Sequence, residues 1–488
     1  MRVATPRRLP YVIPNPGSSR RSDPWWGVPA VLLVALLWRI PSFFDPPWVN
    51  DEGTYFAVAR AMAHGTGLYT GIWENKPPAI YLLYLGVLDL AGASIPAIRL
   101  AATIAVLGLV IVVYRIGTHY GGRESGLVAA LLTALLTGVP FLEGTTANAE
   151  IFLALAAALG VYAAVCAERR FAGGVALGLA ATFKAVAAFD AAAIAVWLAM
   201  HRRRSLPWFA GGLIVVAAAV LGVAAVDGIL TGMLRDAFAY DLGYVGQGNG
   251  GALPWLVGVK LGLLVLATHA LRRAPFPYIW LIYALAGAAF SGRIFGHYTL
   301  QAVAPASLSI ATFLGPVRRP TRVMAWLVSS FAGAAVLAAC LGWVLAASGH
   351  DSITARRLQY YANFVRYAMH QESPSQYRAQ VDDTVNRNIR IAGSIRTLPA
   401  GKLLVWGNSP WIYVLSGRLP ATPYTSAVRT PAVPGETDTL RRAVDRRSAR
   451  EIVLVAPLRP PLGPAAAALR RMYRPVVDLQ GATIYVER

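Results

Sequence analysis

Long apolar runs separated by short basic clusters recur along this chain, and few acids interrupt them. Breaking the hydropathy at those clusters predicts about eleven membrane-spanning helices, near residues 27–42, 93–114, 125–141, 148–166, 171–184, 186–200, 207–227, 253–271, 275–292, 297–315 and 323–347. The separating groups are Arg115 and Arg123, Arg169 and Arg170, Arg202 to Arg204, Arg272 and Arg273, and Arg318, Arg319 and Arg322. With the N-terminal tail inside, every one of them falls on the cytoplasmic side, as the positive-inside rule requires. About thirty apolar residues lie between Arg170 and His201, two ends that must share a side; this predicts a hairpin of two short helices with Lys184 toward the outer face.

Two stretches break the pattern. Residues 43–92, between the first two spans, form a long outer loop rich in Trp, Tyr and Pro, with amphipathic segments at 54–64 and 79–90 that suit the membrane interface. From about residue 349 polar and charged positions return. There "KLLVWGN", "EIVLVA" and "ATIYVE" alternate like strands, with helices expected at 437–447 and 465–473, which predicts a small extracytoplasmic α/β domain over 349–488. At the other end, Arg7, Arg8, Arg20 and Arg21 precede the first apolar run, and no small-x-small cleavage motif follows it. Residues 1–24 therefore read as a disordered cytoplasmic tail before an uncleaved signal-anchor helix, and 25–348 as the membrane domain.

Composition agrees with a membrane protein: of 488 residues 56% are hydrophobic and 14% charged, at a mean hydropathy of +0.49. Lys and Arg number 45 against 24 Asp and Glu, but they are clustered between apolar runs rather than aligned in a stripe, so the excess fits topology and not nucleic-acid binding. The two cysteines, Cys166 and Cys340, each stand in an apolar segment and offer neither a disulfide framework nor a thiolate metal site.

Chemistry concentrates in the first outer loop, where "VNDEGTY" sets Asp51 and Glu52 beside hydrocarbon. Asn50 or Asp51 can cap a helix beginning near Thr54, with Glu52 favouring its dipole. A carboxylate held against apolar surface also suits a general base, because desolvation raises its pKa. Farther on, "YTGIWENKPPAIYLLY" places Lys76 before a helix start: a snorkelling belt residue on one reading, a phosphate site on the other. Arg293, His297 and Tyr298 form a polar knot between two apolar spans, readable as an interfacial belt or as anion ligands, and Lys184 is explained by a hairpin turn or by the same anion. Glu150 suits the first turn of a helix capped by Thr146 or Asn148, and with Glu143 faces the outer side.

The segment "NDEGTYFAVARAMAHGTGLYTGIWENKPPAIYLLY" resembles the signature of the GT-C membrane glycosyltransferases, and more narrowly the bacterial branch related to protein O-mannosyltransferases and to the aminoarabinose transferase of lipid A. Asp51, Glu52, Tyr55, Gly67, Tyr69, Lys76, Pro77 and Pro78 carry the match. "TTANAEIFLAL", "GLAATFKAVAAF", "GRIFGHYTLQAVAP" and "VWGNSPWIYVLSGRLPATPY" continue it in order along most of the chain. The resemblance implies a polytopic α-helical GT-C fold and an inverting transfer of sugar from a polyprenyl-phosphate donor to an extracytoplasmic lipid, wall glycan or protein, at a bacterial plasma membrane. It implies Asp51 as the catalytic base, Glu52 and Glu150 as acceptor-side or structural acids, and Lys76, Arg293, His297, Tyr298 and Lys184 as ligands of the donor phosphate. The Glu-Asn pair before Lys76 departs from relatives with Glu directly before Lys. No cofactor follows from the residues, and a divalent metal ion stays an open alternative. The competing readings are a glycolipid transporter or flippase, which would carry inverted repeats and mid-helix charges, and a membrane-anchored scaffold.

Overall fold

A computed structural model describes residues 26–248, 253–293, 295–314 and, apart from 358, 427–432, 434, 459–460 and 480, the stretch 356–488. The expected cytoplasmic tail, the last expected span at 323–347 and Cys340 lie outside the described residues. The chain is mostly helical, with a sheet near its C-terminus. Helices α1 to α8 are Gly27–Arg39, Asn50–Ala63, Ala79–Ala91, Ile95–Leu136, Ala149–Val161, Arg170–Phe183, Ala187–His201 and Leu206–Val226; α9 to α13 are Leu230–Leu234, Tyr240–Gly248, Leu253–Ala270, Phe276–Ala289 and Leu300–Leu314.

Three segments among the described residues are long and apolar enough to cross a bilayer, Ile95–Leu136, Ala149–Cys166 and Arg203–Val226; α6, α7 and α12 are among the shorter apolar helices. The expected spans at 93–114 and 125–141 share the single element α4, which doubles back at Gly122, whose φ of 77° suits glycine. Past that reversal Gly126 packs on Tyr114 and Thr118, so close that a Cβ there would lie 2.7 Å from the Tyr114 carbonyl. α6 and α7 form the expected hairpin, and Lys184 stands at its turn. Small residues let α6 and α8 touch backbone to backbone: a Cβ on Gly174 would sit 2.0 Å from the Phe209 carbonyl, the contact membrane helices use when hydrophobicity cannot drive them together. Inside the bundle Asp190 of α7 accepts from the Trp280 indole of α12 at 2.6 Å and the Gln301 amide of α13 at 2.9 Å, tying three helices with a satisfied polar group.

The loop expected over residues 43–92 carries two helices, α2 and α3. α2 starts at Asn50, four residues before the expected helix, because Val49 serves as its N-cap and Asn50 and Asp51 already lie in its first turn; neither caps through its side chain. Gly92, with φ 67°, ends α3.

The C-terminal sheet has strands β1 Leu403–Trp406, β2 Glu451–Val455, β3 Tyr473–Leu479 and β4 Ala482–Glu487, in the order β1-β2-β4-β3. β1 pairs parallel with β2, and both pairings of β4 are antiparallel. β3 was not expected: helix Ala465–Met472 ends where the strand begins, and its outward, Pro-containing sequence reads against a strand until one sees that it is an edge. Trp411, Ile412 and Tyr413 of the short helix Trp411–Ser416 belong to the same buried cluster as Tyr55, Phe56 and Tyr84 of the first loop. The buried Trp411 indole also donates to the Val49 carbonyl at 2.7 Å, just before α2. A Cβ on Gly53 would meet the Trp411 ring at 2.9 Å, so glycine is what lets the tryptophan lie flat on α2. Burying such a side chain contributes roughly 3 kcal/mol, spent here on fixing the first turn of α2.

Candidate functional site

Helix starts and turns at one end of the bundle bring together charges that lie far apart in sequence. Asp51 rides in the first turn of α2, Lys76 in the loop before α3, Glu143 before α5, Glu150 in the first turn of α5, Lys184 in the α6–α7 turn, and His297 in the short helical turn Gly296–Thr299 before α13. The Lys76 ammonium lies 3.5 Å from the Asp51 carboxylate, with the acid side chain 39% exposed and the lysine 16%. Lys76 also lies 5.1 Å from the Tyr55 ring centre, and the Tyr55 hydroxyl donates to Asp51 at 3.3 Å. Tyr69 holds the loop by donating to the Lys76 carbonyl at 2.6 Å.

Opposite them Lys184 pairs with Glu150 and stands 3.9 Å over the Tyr298 ring. His297 Nδ1 lies 2.8 Å from Glu143 Oε2, and its Nε2 4.0 Å from Glu150. Tyr298 shares a hydroxyl contact of 3.0 Å with Tyr244, whose ring lies 4.4 Å below the Arg293 guanidinium. Thus Asp51, Lys76, Glu150, Lys184, His297 and Tyr298 fall in one group, and Arg293 joins it through Tyr244.

The electrostatics follow from that crowding. Burial pushes the Asp51 carboxyl up, but Lys76, His297 and Lys184 outweigh burial and hold it at about 2. Burial lowers Lys76, yet Asp51 and its neighbouring acids Glu74, Glu150 and Asp241 raise it overall. The His297 imidazole is likewise raised, Glu150 and Glu143 exceeding the burial effect. Sequence reasoning missed Asp241: it accepts from Asn75 at 3.3 Å, and burial pushes it up to about 6 against the pull of Lys76 and Lys184.

Glu52 stands apart from this group. Its side chain is fully enclosed: Arg99 Nη2 lies 2.6 Å from Oε2, and the Ala147 N–H donates to Oε1 at 2.6 Å. Arg99 turns its other nitrogen to Asp45 at 3.4 Å and to the Thr145 carbonyl at 2.7 Å, while Asp45 accepts from Tyr360 at 2.9 Å and Tyr377 at 3.2 Å. Of its two expected roles this geometry fits the structural one. An arginine inside an apolar run was the available signal for the network.

Among the described residues no group of three His, Cys, Asp or Glu side chains is arranged to hold a metal ion. The acid two places before Lys76, Glu74, is 1% exposed and accepts from Tyr81 at 2.8 Å, and Asn75 occupies the place next to the lysine.

Comparison with known proteins agrees with this architecture. Residues 75–226 match the family model described as dolichyl-phosphate-mannose-protein mannosyltransferase. The structure of ArnT from Cupriavidus metallidurans bound to undecaprenyl phosphate is similar at TM-score 0.59 and 17% identity, covering 94% of this chain and 97% of that one. Its apo state gives TM-score 0.57 and 18% identity over the same shares, 94% and 97%. The archaeal oligosaccharyltransferase AglB from Archaeoglobus fulgidus, in complex with an inhibitory peptide and a dolichol-phosphate, gives TM-score 0.47 and 11% identity over 95% of this chain and 74% of that one. No curated protein matches in sequence. The fold is that of the ArnT structures.

Proposed function

We propose that this GT-C-fold chain is an integral membrane glycosyltransferase of the bacterial plasma membrane, moving a sugar from a polyprenyl-phosphate donor to an extracytoplasmic acceptor with inversion. The observation that carries this reading is the Asp51 carboxylate, 3.5 Å from Lys76 and in the field of Lys184 and His297.

In the reaction an acceptor hydroxyl attacks the anomeric carbon from the face opposite the phosphate, the bond from that carbon to the phosphate oxygen breaks, and the hydroxyl proton passes to Asp51. The departing lipid phosphate gains charge, and Lys76, Lys184 and His297 are fixed cations that reward that change. A carboxylate held at about 2 is ionised at every working pH but is a weak proton acceptor. When the donor phosphate shares Lys76, the ion pair with Asp51 weakens and burial, the largest remaining influence, raises its basicity. Donor binding thereby prepares the base. Arg293 and Tyr298 extend the phosphate cradle through Tyr244, and Glu150 holds Lys184 in place. The enclosed Glu52 positions the first turn of α2. On this reading the C-terminal sheet region lies outside the cytoplasm, on the same side as Asp51.

Incubating membranes with a panel of labelled polyprenyl-phosphate sugars tests the reading. Wild type transfers label from at least one donor, and Asp51→Asn, expressed at normal level, does not. Full transfer by that variant removes Asp51 as the base, and no transfer by wild type from any donor overturns the function.

A further inference from the structure

α10 brings to the candidate site a carboxylate, Asp241, that the proposed reaction leaves unused. The α9–α10 segment lies along the loop that carries Lys76, and three contacts fix it there. A Cβ on Gly232 of α9 would sit 2.6 Å from the Tyr69 carbonyl, the Tyr240 ring meets Trp73 edge-on at 4.9 Å, and Asp241 Oδ1 accepts from the Asn75 amide at 3.3 Å. Trp73 is anchored in turn, its N–H donating to the Pro423 carbonyl at 2.9 Å. A packed frame therefore holds Asp241 against the residue next to Lys76.

Two features mark this carboxylate as a ligand for substrate. The first is its second oxygen: among the described residues Oδ2 has no hydrogen-bond partner, and it is not enclosed. A half-buried carboxylate with an accepting oxygen unused gains from any hydrogen-bond donor brought to it. The second is its place. Tyr244 lies three residues on, along the same face of α10; its hydroxyl meets that of Tyr298 at 3.0 Å, and its ring lies 4.4 Å from the Arg293 guanidinium. One helical turn, about 5.4 Å, thus separates Asp241 from groups proposed to hold the donor phosphate, a span comparable to a sugar ring. Asp51, by contrast, is already paired with Lys76.

The geometry points to Asp241 as a specificity residue that accepts a hydrogen bond from a ring hydroxyl of the transferred sugar, with Asn75 orienting its carboxylate. The inference rests on the glycosyl-transfer reading and deepens it: the cations take the phosphate, Asp51 takes the acceptor proton, and Asp241 reads the sugar between them.

The test uses the full chain in membranes, the polyprenyl-phosphate sugar it accepts, and analogues of that donor lacking one ring hydroxyl each. In wild type, removing the hydroxyl that Asp241 reads should lower kcat/KM about 10- to 100-fold, the loss of a hydrogen bond to a charged group. In Asp241→Ala that penalty should vanish for the same analogue and persist for the others, a coupling that a displaced helix would not produce; Asp241→Asn, whose carboxamide oxygen still accepts, should fall between. Asn75→Ala, which frees the carboxylate without removing it, should blunt the same penalty and gives a second reading where Asp241→Ala expresses poorly. Wild-type KM for the full donor should also rise as pH falls through about 6, where Asp241 takes up a proton against the pull of Lys76 and Lys184, and Asp241→Asn should lose that limb. Variants that keep every wild-type penalty, or that lose rate equally for all donors, overturn this inference and leave the function standing; transfer by wild type from no donor overturns both.

Discussion

Glu52→Gln separates the two acids of the opening motif. In the native chain the Arg99 guanidinium has Glu52 at 2.6 Å, Asp45 at 3.4 Å and the Thr145 carbonyl at 2.7 Å, all without solvent. Glutamine keeps the shape and removes the nearer charge. If its oxygen still accepts from the Ala147 N–H, its amide faces Arg99 donor to donor; if it flips, the Ala147 N–H loses its acceptor. Breaking one arm of a buried ion pair costs about 3–5 kcal/mol, and the lower end applies because Asp45 remains. About 3 kcal/mol taken from the unfolding barrier shortens the inactivation half-life about a hundredfold. The assay is residual transfer activity after incubation at raised temperature, alongside initial rates on unheated enzyme. Glu52→Gln should lose half-life steeply while folded molecules keep most of their kcat, and Asp51→Asn should keep its fold and lose rate. A Glu52→Gln enzyme as durable as wild type but slow would refute the positioning role and move Glu52 into the chemistry.

Other outcomes follow from the same geometry. Lys76→Met should raise KM for the donor and lower kcat together, because one cation serves both bound phosphate and leaving group; a change in kcat alone would remove it from donor binding. Asp51, with its folded pKa depressed to about 2, contributes stability that is present above its unfolded value near 4 and is lost as pH falls through the folded value, and it stays ionised in the active range, so kcat/KM should show no acid limb from Asp51 between about pH 5 and 7; an inflection there that persists in Asp241→Asn contradicts the ion pairing. His297, raised by Glu150 and Glu143, keeps its positive charge below its folded pKa and loses it as pH rises through that value, so donor affinity should weaken above the ordinary imidazole range and His297→Gln should abolish that limb. Gly53→Ala must push the Trp411 ring aside from 2.9 Å, so it should lower thermal stability by about 1–3 kcal/mol, measured by unfolding; an unchanged midpoint would show that the contact yields freely.

The hydropathy pattern carried the bundle because apolar length and basic punctuation are local properties, legible without partners. The α6–α7 hairpin followed from charge placement alone. The Arg99 network did not, since Glu52 and Asp45 lie 47 and 54 positions away and no periodicity links them. The edge strand β3 escaped for a different reason, its exposed face and Pro475 hiding the alternation that marks buried strands. In the candidate site Asp51 and Lys76 were visible through a recurring loop pattern, whereas Asp241 sits in α10 within no motif and becomes noticeable only once Asn75 and Lys76 are near it.

The indole of Trp411 reaches back across 362 positions to the peptide oxygen just ahead of the acidic pair. A growing polypeptide can thread its early helices into the bilayer long before that tryptophan emerges, but until then Gly53 faces an empty slot and the first turn of α2 lacks its clasp. Order of synthesis thus sets order of assembly: the start of α2 gains its last packing partner only after four fifths of the chain has been made.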